Sequence, residues 1–274
     1  MGSGIAEAVA GAGHDVRLFE LLATARADSR ERIAASTQRA ADRGRLDPAA
    51  RDALLGRISF ADAIDELADR ELVIEAIVED LGAKTAVLAE LEAVVTEQAL
   101  LASNTSSIPI AALAGVLARP QRMIGLHFFS PVPVMGLVEI VSALDTGADT
   151  LAAAESFVAS LGKAAVHSRD RAGFIVNMLL VPYLVSAVRM LEEGFAARED
   201  IDRAMTLGCG HPMGPLTLCD FIGLDVISGI CDSLFDEFRR PELAAPPLLR
   251  RMVSAGRLGR KSGRGFYEYP GAGE

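Results

Sequence analysis

Apolar and polar positions along this chain follow two successive patterns. Through the first two-thirds, short apolar runs alternate with segments of helical spacing. DVRLFE (15–20), ISF (58–60), ELVIEA (71–76), ALLAS (99–103), MIGLHF (123–128) and LVEIVS (137–142) have the length and apolar content of buried strands. Between them, residues 22–43, KTAVLAELEAVV (84–95), IPIAALAGVL (108–117) and TLAAAESFVASLG (150–162) predict helices, the last with Asp149 as its N-cap. Continuous apolar strands separated by helices predict a parallel sheet covered on both faces.

Beyond about residue 170 the strand signals vanish until GFYEY (265–269). The stretches 174–193, 199–207, 215–237 and 246–254 predict helices, and HPMGP (211–215) predicts a rigid turn with Pro215 at the first helical position. The expected organisation is an α/β Rossmann-type parallel-sheet domain over 1–169, followed by an all-α domain over 170–274.

A dinucleotide fold opens with an apolar strand, then G-x-G-x-x-G, then a helix. This chain opens at MGSGIAEAVAGAG, so Gly2 takes the place of the third glycine and the first strand and two glycines are missing. A start assigned too late, or a shortened chain, is expected, with exposed strand edges and weak pyrophosphate binding as consequences. Glu20 ends the strand that follows. An acid there binds a ribose 2′-hydroxyl and repels a 2′-phosphate, which favours NAD over NADP.

Candidate chemistry concentrates in SNTSSI (103–108) and GLHFFSPVPVMGLVEI (125–140). Ser106, His127 and Glu139 lie on three short segments, each bordering or within an apolar run. A hydroxyl, an imidazole and a carboxylate at neighbouring strands make a proton-transfer site, with the carboxylate fixing the imidazole tautomer. A carboxylate amid LVEIV also requires a partner. His14, His167 and His211 have no such companion in the pattern and read as structural.

Bulk properties narrow the classes. With 274 residues, half of them hydrophobic, the chain can bury a sizeable core. A net charge of −10 argues against nucleic-acid binding, although local arginines can still hold an anionic ligand. The three cysteines, Cys209, Cys219 and Cys231, lack metal spacing and read as reduced core thiols, so no metal is expected. FIVNMLLVPYLVSAV (174–188) is too short for a membrane span and carries Asn177 and Pro182, which leaves a buried helix. With no signal peptide evident, a cytoplasmic location is expected.

MGSGIAEAVAGAGHDV, LVIEAIVEDLGAK, SNTSSI, HFFSPVPVMGLVEI, GFIVNMLLVPYL, HPMGPLTLCDFIGLD and GRKSGRGFYEY together resemble the L-3-hydroxyacyl-CoA dehydrogenase family, specifically its bacterial 3-hydroxybutyryl-CoA branch. The resemblance spans essentially the whole chain. It implies NAD as cofactor, an acyl-CoA substrate, and a homodimer formed through the C-terminal helical domain. It also implies His127 as catalytic base, Glu139 as its partner, Ser106 as the hydroxyl on the substrate's 3-oxygen, and Asn177 as an active-site amide. Glu79, Lys84, Asn104 and Lys261 match cofactor-binding positions, beside Gly2 and Glu20.

Three positions depart from the family pattern. Ser130 stands where asparagine is common, Gly136 where lysine is common and Met178 where arginine is frequent. Arginines 26, 30, 32, 39, 43 and 45, on or just after the helix over 22–43, are candidates for the CoA phosphates. Two other readings stand beside this one: a dehydrogenase of a free hydroxy acid, and a non-catalytic relative that retains the fold.

Overall fold

The computed structural model describes residues 1–270. The chain divides into two compact units, Met1–Arg171 and Ala172–Glu274.

The first unit begins with α1 (Gly2–Gly11) and β1 (Val16–Phe19), followed by α2 (Ala23–Asp42), α3 (Pro48–Gly56) and β2 (Ile58–Ala61). It continues with β3 (Leu72–Glu75), α4 (Leu81–Val94), β4 (Leu100–Ser103), α5 (Ile110–Ala114), β5 (Met123–Phe128), β6 (Leu137–Ser142), α6 (Ala148–Ser160) and β7 (Ala164–Arg169). Local chemistry explains several boundaries. Asp47 caps α3 by accepting from the Ala50 N–H at 2.8 Å, with Pro48 in the first turn. Asp80 does the same for α4 through the Ala83 N–H. The helix α3 was not anticipated, although Asp47-Pro48 is its start signal.

The strands form two sheets: β1 pairs with β2, and a five-stranded sheet runs β3-β4-β5-β6-β7. Every pair is parallel except β5–β6, which is antiparallel. The expectation of an all-parallel sheet is corrected at that point. The eight residues 129–136 between β5 and β6 are too few for a parallel crossover, which takes a dozen or more. The second correction is β7, an unanticipated strand whose residues AAVHSR are mostly exposed. The third is α6, which is capped at Gly147 and has Asp149 inside its first turn.

The core of this unit joins Ile5 of α1, Ala102 of β4, Ile124 and Leu126 of β5, Val138 and Ile140 of β6, and Ala154 and Val158 of α6. Gly125 lies in the middle of β5 because a side chain there would meet the Val141 Cβ at 2.8 Å and Ile110 at 2.9 Å.

The second unit contains α7 (Val176–Glu192), α8 (Arg198–Cys209), α9 (Pro215–Ile222), α10 (Leu224–Phe238) and α11 (Pro247–Ser254). The single helix expected over 215–237 breaks at Gly223, whose φ of 109° no helix accommodates. GFYEY is not a strand. It wraps the buried Asp220 carboxylate, which accepts from the N–H groups of Phe266 and Tyr267, each at 2.9 Å, and from the Tyr269 hydroxyl at 3.0 Å. Among the described residues, no helix is long and apolar enough to cross a membrane.

Candidate active site

The antiparallel pairing of β5 and β6 brings His127 opposite Glu139. Both side chains are buried, and the imidazole Nδ1 lies 2.6 Å from Glu139 Oε2. An ionised carboxylate only accepts, so Nδ1 carries the proton and Nε2 is the ring nitrogen suited to act as base. The Phe129 ring packs against the imidazole with centroids 4.5 Å apart. Asn104, just past β4, accepts from the Phe128 N–H at 2.8 Å, tying the SNTSSI loop to the strand that carries His127.

That loop is held from its other side by Glu79. One carboxylate oxygen accepts from the Thr105 hydroxyl (2.6 Å), the Ser106 N–H (2.9 Å), the Ser107 N–H (3.1 Å) and the Ser107 hydroxyl (2.9 Å). The Ser106 hydroxyl is 3.4 Å from the same oxygen. Burial pushes the Glu79 carboxyl up, but these donors and the Lys84 charge outweigh it and hold the group below the usual carboxylate range.

Lys84 is 1 % exposed, with its ammonium 2.7 Å from Glu75 and 3.3 Å from Glu79. Glu75 also accepts from the Ser103 hydroxyl at 2.6 Å and from the Ile77 N–H at 2.6 Å. Lys84, expected at the cofactor, therefore stands behind two carboxylates. Glu75 was missed in the sequence, although the argument made for Glu139 applies to it: a carboxylate ending the apolar run LVIE needs a partner.

Lys163 was also missed. Its ammonium donates to the carbonyls of Val132 (2.8 Å) and Met135 (2.6 Å), fastening the loop between β5 and β6. Burial lowers its pKa.

Gly2 and Glu20 line one cleft of about 1640 Å³, together with Ala76, Ser130 and Val132. A side chain at Gly2 would approach only Ala76, at 3.9 Å, so a ligand can come close to the start of α1. Glu20 accepts from the Ser29 hydroxyl and directly follows β1. A glycine at a helix start and an acid at the next strand's end fit a dinucleotide such as NAD.

Asn177 and Lys261 belong to the second unit. Asn177 is buried near the start of α7. Lys261 pairs with Asp225 at 2.6 Å, with both side chains partly exposed. Among the other histidines, His14 lies 2.8 Å from the Ser160 hydroxyl and His211 lies 3.1 Å from the Tyr183 hydroxyl. His167 does have a carboxylate companion, Glu155 at 3.3 Å, contrary to expectation. That pair is exposed and of little energetic weight.

Residues 1–171 match the model for the 3-hydroxyacyl-CoA dehydrogenase NAD binding domain, and residues 173–269 match that for the 3-hydroxyacyl-CoA dehydrogenase C-terminal domain. The chain belongs to the 3-hydroxyacyl-CoA dehydrogenase family. It is an oxidoreductase of that family, and its cofactor is NAD. It is 52% identical to a Mycobacterium tuberculosis 3-hydroxybutyryl-CoA dehydrogenase, covering 98% of this chain and 95% of the relative. A mitochondrial hydroxyacyl-coenzyme A dehydrogenase from Sus scrofa is 41% identical, covering 98% and 88%. The crystal structure of (S)-3-hydroxybutyryl-CoA dehydrogenase from Ralstonia eutropha matches with a TM-score of 0.92 and 42% identity, over 98% of this chain and 95% of that one.

Proposed function

We propose that this chain interconverts (S)-3-hydroxyacyl-CoA and 3-ketoacyl-CoA on short acyl chains, with 3-hydroxybutyryl-CoA and acetoacetyl-CoA as the working pair. The 2.6 Å contact between His127 and Glu139, both buried, carries the proposal. The names of the similar bacterial enzymes support the short-chain preference.

In oxidation, His127 Nε2 takes the proton of the 3-hydroxyl. Glu139 keeps the proton on Nδ1 and stabilises the imidazolium that forms. Bound NAD supplies the hydride acceptor. Ser106 and Asn177 orient the reacting oxygen by hydrogen bonds, so much of their effect is positioning. In reduction, the imidazolium returns the proton. Gly2 and Glu20 hold the adenosine and phosphate end of NAD, Asn104 and Lys261 take further cofactor contacts, and Glu79, backed by Lys84, keeps the serine loop in place.

The same reading includes a homodimer through the helical unit and a cytoplasmic location. Leu179 on α7, Phe195, Leu207 on α8 and Phe221 on α9 are exposed apolar side chains in that unit. An apolar groove lined by Leu179, Tyr183, Met213 and Phe221 supports a covering partner. Burial raises the pKa of Cys219 and pushes that of Cys231 up to about 12, which makes them inert core thiols, whereas Cys209, also expected in the core, is exposed at the end of α8.

The deciding experiment is NADH oxidation with acetoacetyl-CoA, with free CoA as competitor. Turnover inhibited by free CoA is expected. Stoichiometric NAD binding without turnover would overturn the proposal, and turnover on a free keto acid instead would move the substrate.

A further inference from the structure

We propose that Asp170 is a positioning residue of this dehydrogenase, which acts by fixing the Ser106 loop on the strands that carry His127 and Glu139. The proposal rests on the role given above to Ser106.

The backbone donors of the loop have a complete accounting. The Thr105 N–H donates to the Ser103 hydroxyl at 3.2 Å, and the Ile108 N–H to the Thr105 hydroxyl oxygen at 2.9 Å. Those of Ser106 and Ser107 reach Glu79, and Pro109 has none. The Ile110 and Ala111 N–H groups open α5 and have no intrahelical partner. Asp170, 60 residues from Ile110 in sequence, takes both. One carboxylate oxygen accepts from Ile110 at 2.8 Å and the other from Ala111 at 2.6 Å.

The anchor is itself held. The Asp170 N–H donates to the Ser142 carbonyl at 3.0 Å, which continues the β6–β7 ladder by one residue. Strand β6 also carries Glu139. Asp170 therefore ties the end of the serine loop to the strand of Glu139, as Asn104 ties its beginning to the strand of His127.

Packing agrees with this path. Ile110 is fully buried and lies against Gly125 of β5, two residues before His127, where a Cβ would come within 2.9 Å of it. Both ends of the loop thus rest on β5, and the carboxylate of Asp170 keeps the second end there. The loop between them has no regular structure of its own, so the place of the Ser106 hydroxyl depends on its anchors. A misplacement of about 1 Å in a positioned group costs on the order of 10²-fold in rate.

The test is a double-mutant cycle on the full chain. Asp170→Asn keeps the size of the side chain but replaces one acceptor by a donor, so the two N–H groups are no longer both satisfied. It should lower kcat by about ten- to a hundredfold and leave KM for acyl-CoA and NADH nearly unchanged. In a Ser106→Ala background the same substitution should cause little further loss, because its effect passes through Ser106. A helix cap without a positioning role would give additive losses. Asp170→Glu keeps both acceptor oxygens, displaced by one methylene, and serves as the milder variant with the same expected loss of kcat in smaller measure. Amide exchange gives a readout independent of turnover: it should quicken at Ser106 and Ser107 as well as at Ile110 and Ala111. An unchanged kcat in both variants, additivity with Ser106→Ala, or faster exchange confined to Ile110 and Ala111 would each overturn the proposal. A wild type without NADH oxidation counts against the proposed activity, while exchange at Ser106 and Ser107 still decides the hold of Asp170 on the loop, so the two readings fail separately.

Discussion

His127 and Glu139 face each other across the antiparallel β5–β6 pair, with Nδ1 and Oε2 2.6 Å apart. Their meeting depends on strand register: a slip by one residue would turn one of them to the opposite face of the sheet. Replacing His127 by alanine should lower kcat by about 10²–10⁴-fold, the range of general acid–base catalysis. Glu139→Gln keeps the shape and removes the charge, and should lower kcat while leaving KM for acyl-CoA nearly unchanged. Steady-state kinetics with NADH and acetoacetyl-CoA measures both, and a His127→Ala loss below about tenfold would remove His127 from its role.

The Lys84–Glu75 pair is nearly inaccessible, with each side chain 1 % exposed. Lys84→Met leaves a buried carboxylate without its cation, at a cost of about 3–5 kcal/mol. Urea unfolding should show that loss. Glu75→Gln combined with Lys84→Met should recover part of it, because the uncompensated charge is gone. Wild-type stability in Lys84→Met would contradict the account.

Glu79 sets a pH dependence. Its folded pKa is held below its unfolded value by the serine-loop donors and Lys84. Its stabilising contribution is therefore present above the ordinary carboxylate range and disappears as pH falls through the depressed folded value. Unfolding midpoints measured from neutral pH down to about pH 3 should fall less steeply in Glu79→Gln than in the wild type. The carboxylate is partly exposed, so solvent screening keeps the difference modest. Parallel curves would show that Glu79 does not restrain the loop.

Asp220 anchors the last described segment of the second unit through Phe266, Tyr267 and Tyr269. Burial raises its pKa, and the donors that face it act against that rise. Asp220→Ala orphans those donors and should cost about 2–4 kcal/mol. Gly265→Ala should also destabilise, because its Cβ would lie 1.9 Å from Asp220 Oδ1. Thermal unfolding of the two variants tests this, and an unchanged midpoint for Asp220→Ala would refute the anchoring role.

The arginines after residue 22 divide by environment. Arg26 pairs with Asp62, and Arg30 stacks over Phe60 at 4.1 Å. Arg32, Arg39, Arg43 and Arg45 are exposed, and Arg39 and Arg43 are the pair that tests the proposed contact with the CoA phosphates. Arg39→Glu with Arg43→Glu should raise KM for acyl-CoA and leave kcat little changed. An unchanged KM would reject the assignment.

Much of the fold is legible in the apolar pattern. Residues with short apolar runs, such as MIGLHF and LVEIVS, became β5 and β6, and 174–193 became α7. The mostly exposed strand β7 and the helix α3 gave weak periodic signals, and nothing in the pattern set Gly223, at φ 109°, apart from other glycines. In the site, Glu139 announced a partner because a carboxylate in an apolar strand requires one. Glu75 carried the same signal at the end of β3, but neither Lys84 nor Ser103 could be assigned to it from spacing alone.

The sequence by itself determined most of the elements, the change from α/β to all-helical organisation near residue 170, and the residue types available for proton transfer. These rest on periodicity, turn chemistry and the cost of burying charge, all of which are local. Only the tertiary structure decided the reversal of β6, the opposition of His127 to Glu139 and the burial of Lys84 behind two carboxylates. Each depends on which segments, distant in sequence, share a ladder or a core, and local pattern does not encode that pairing.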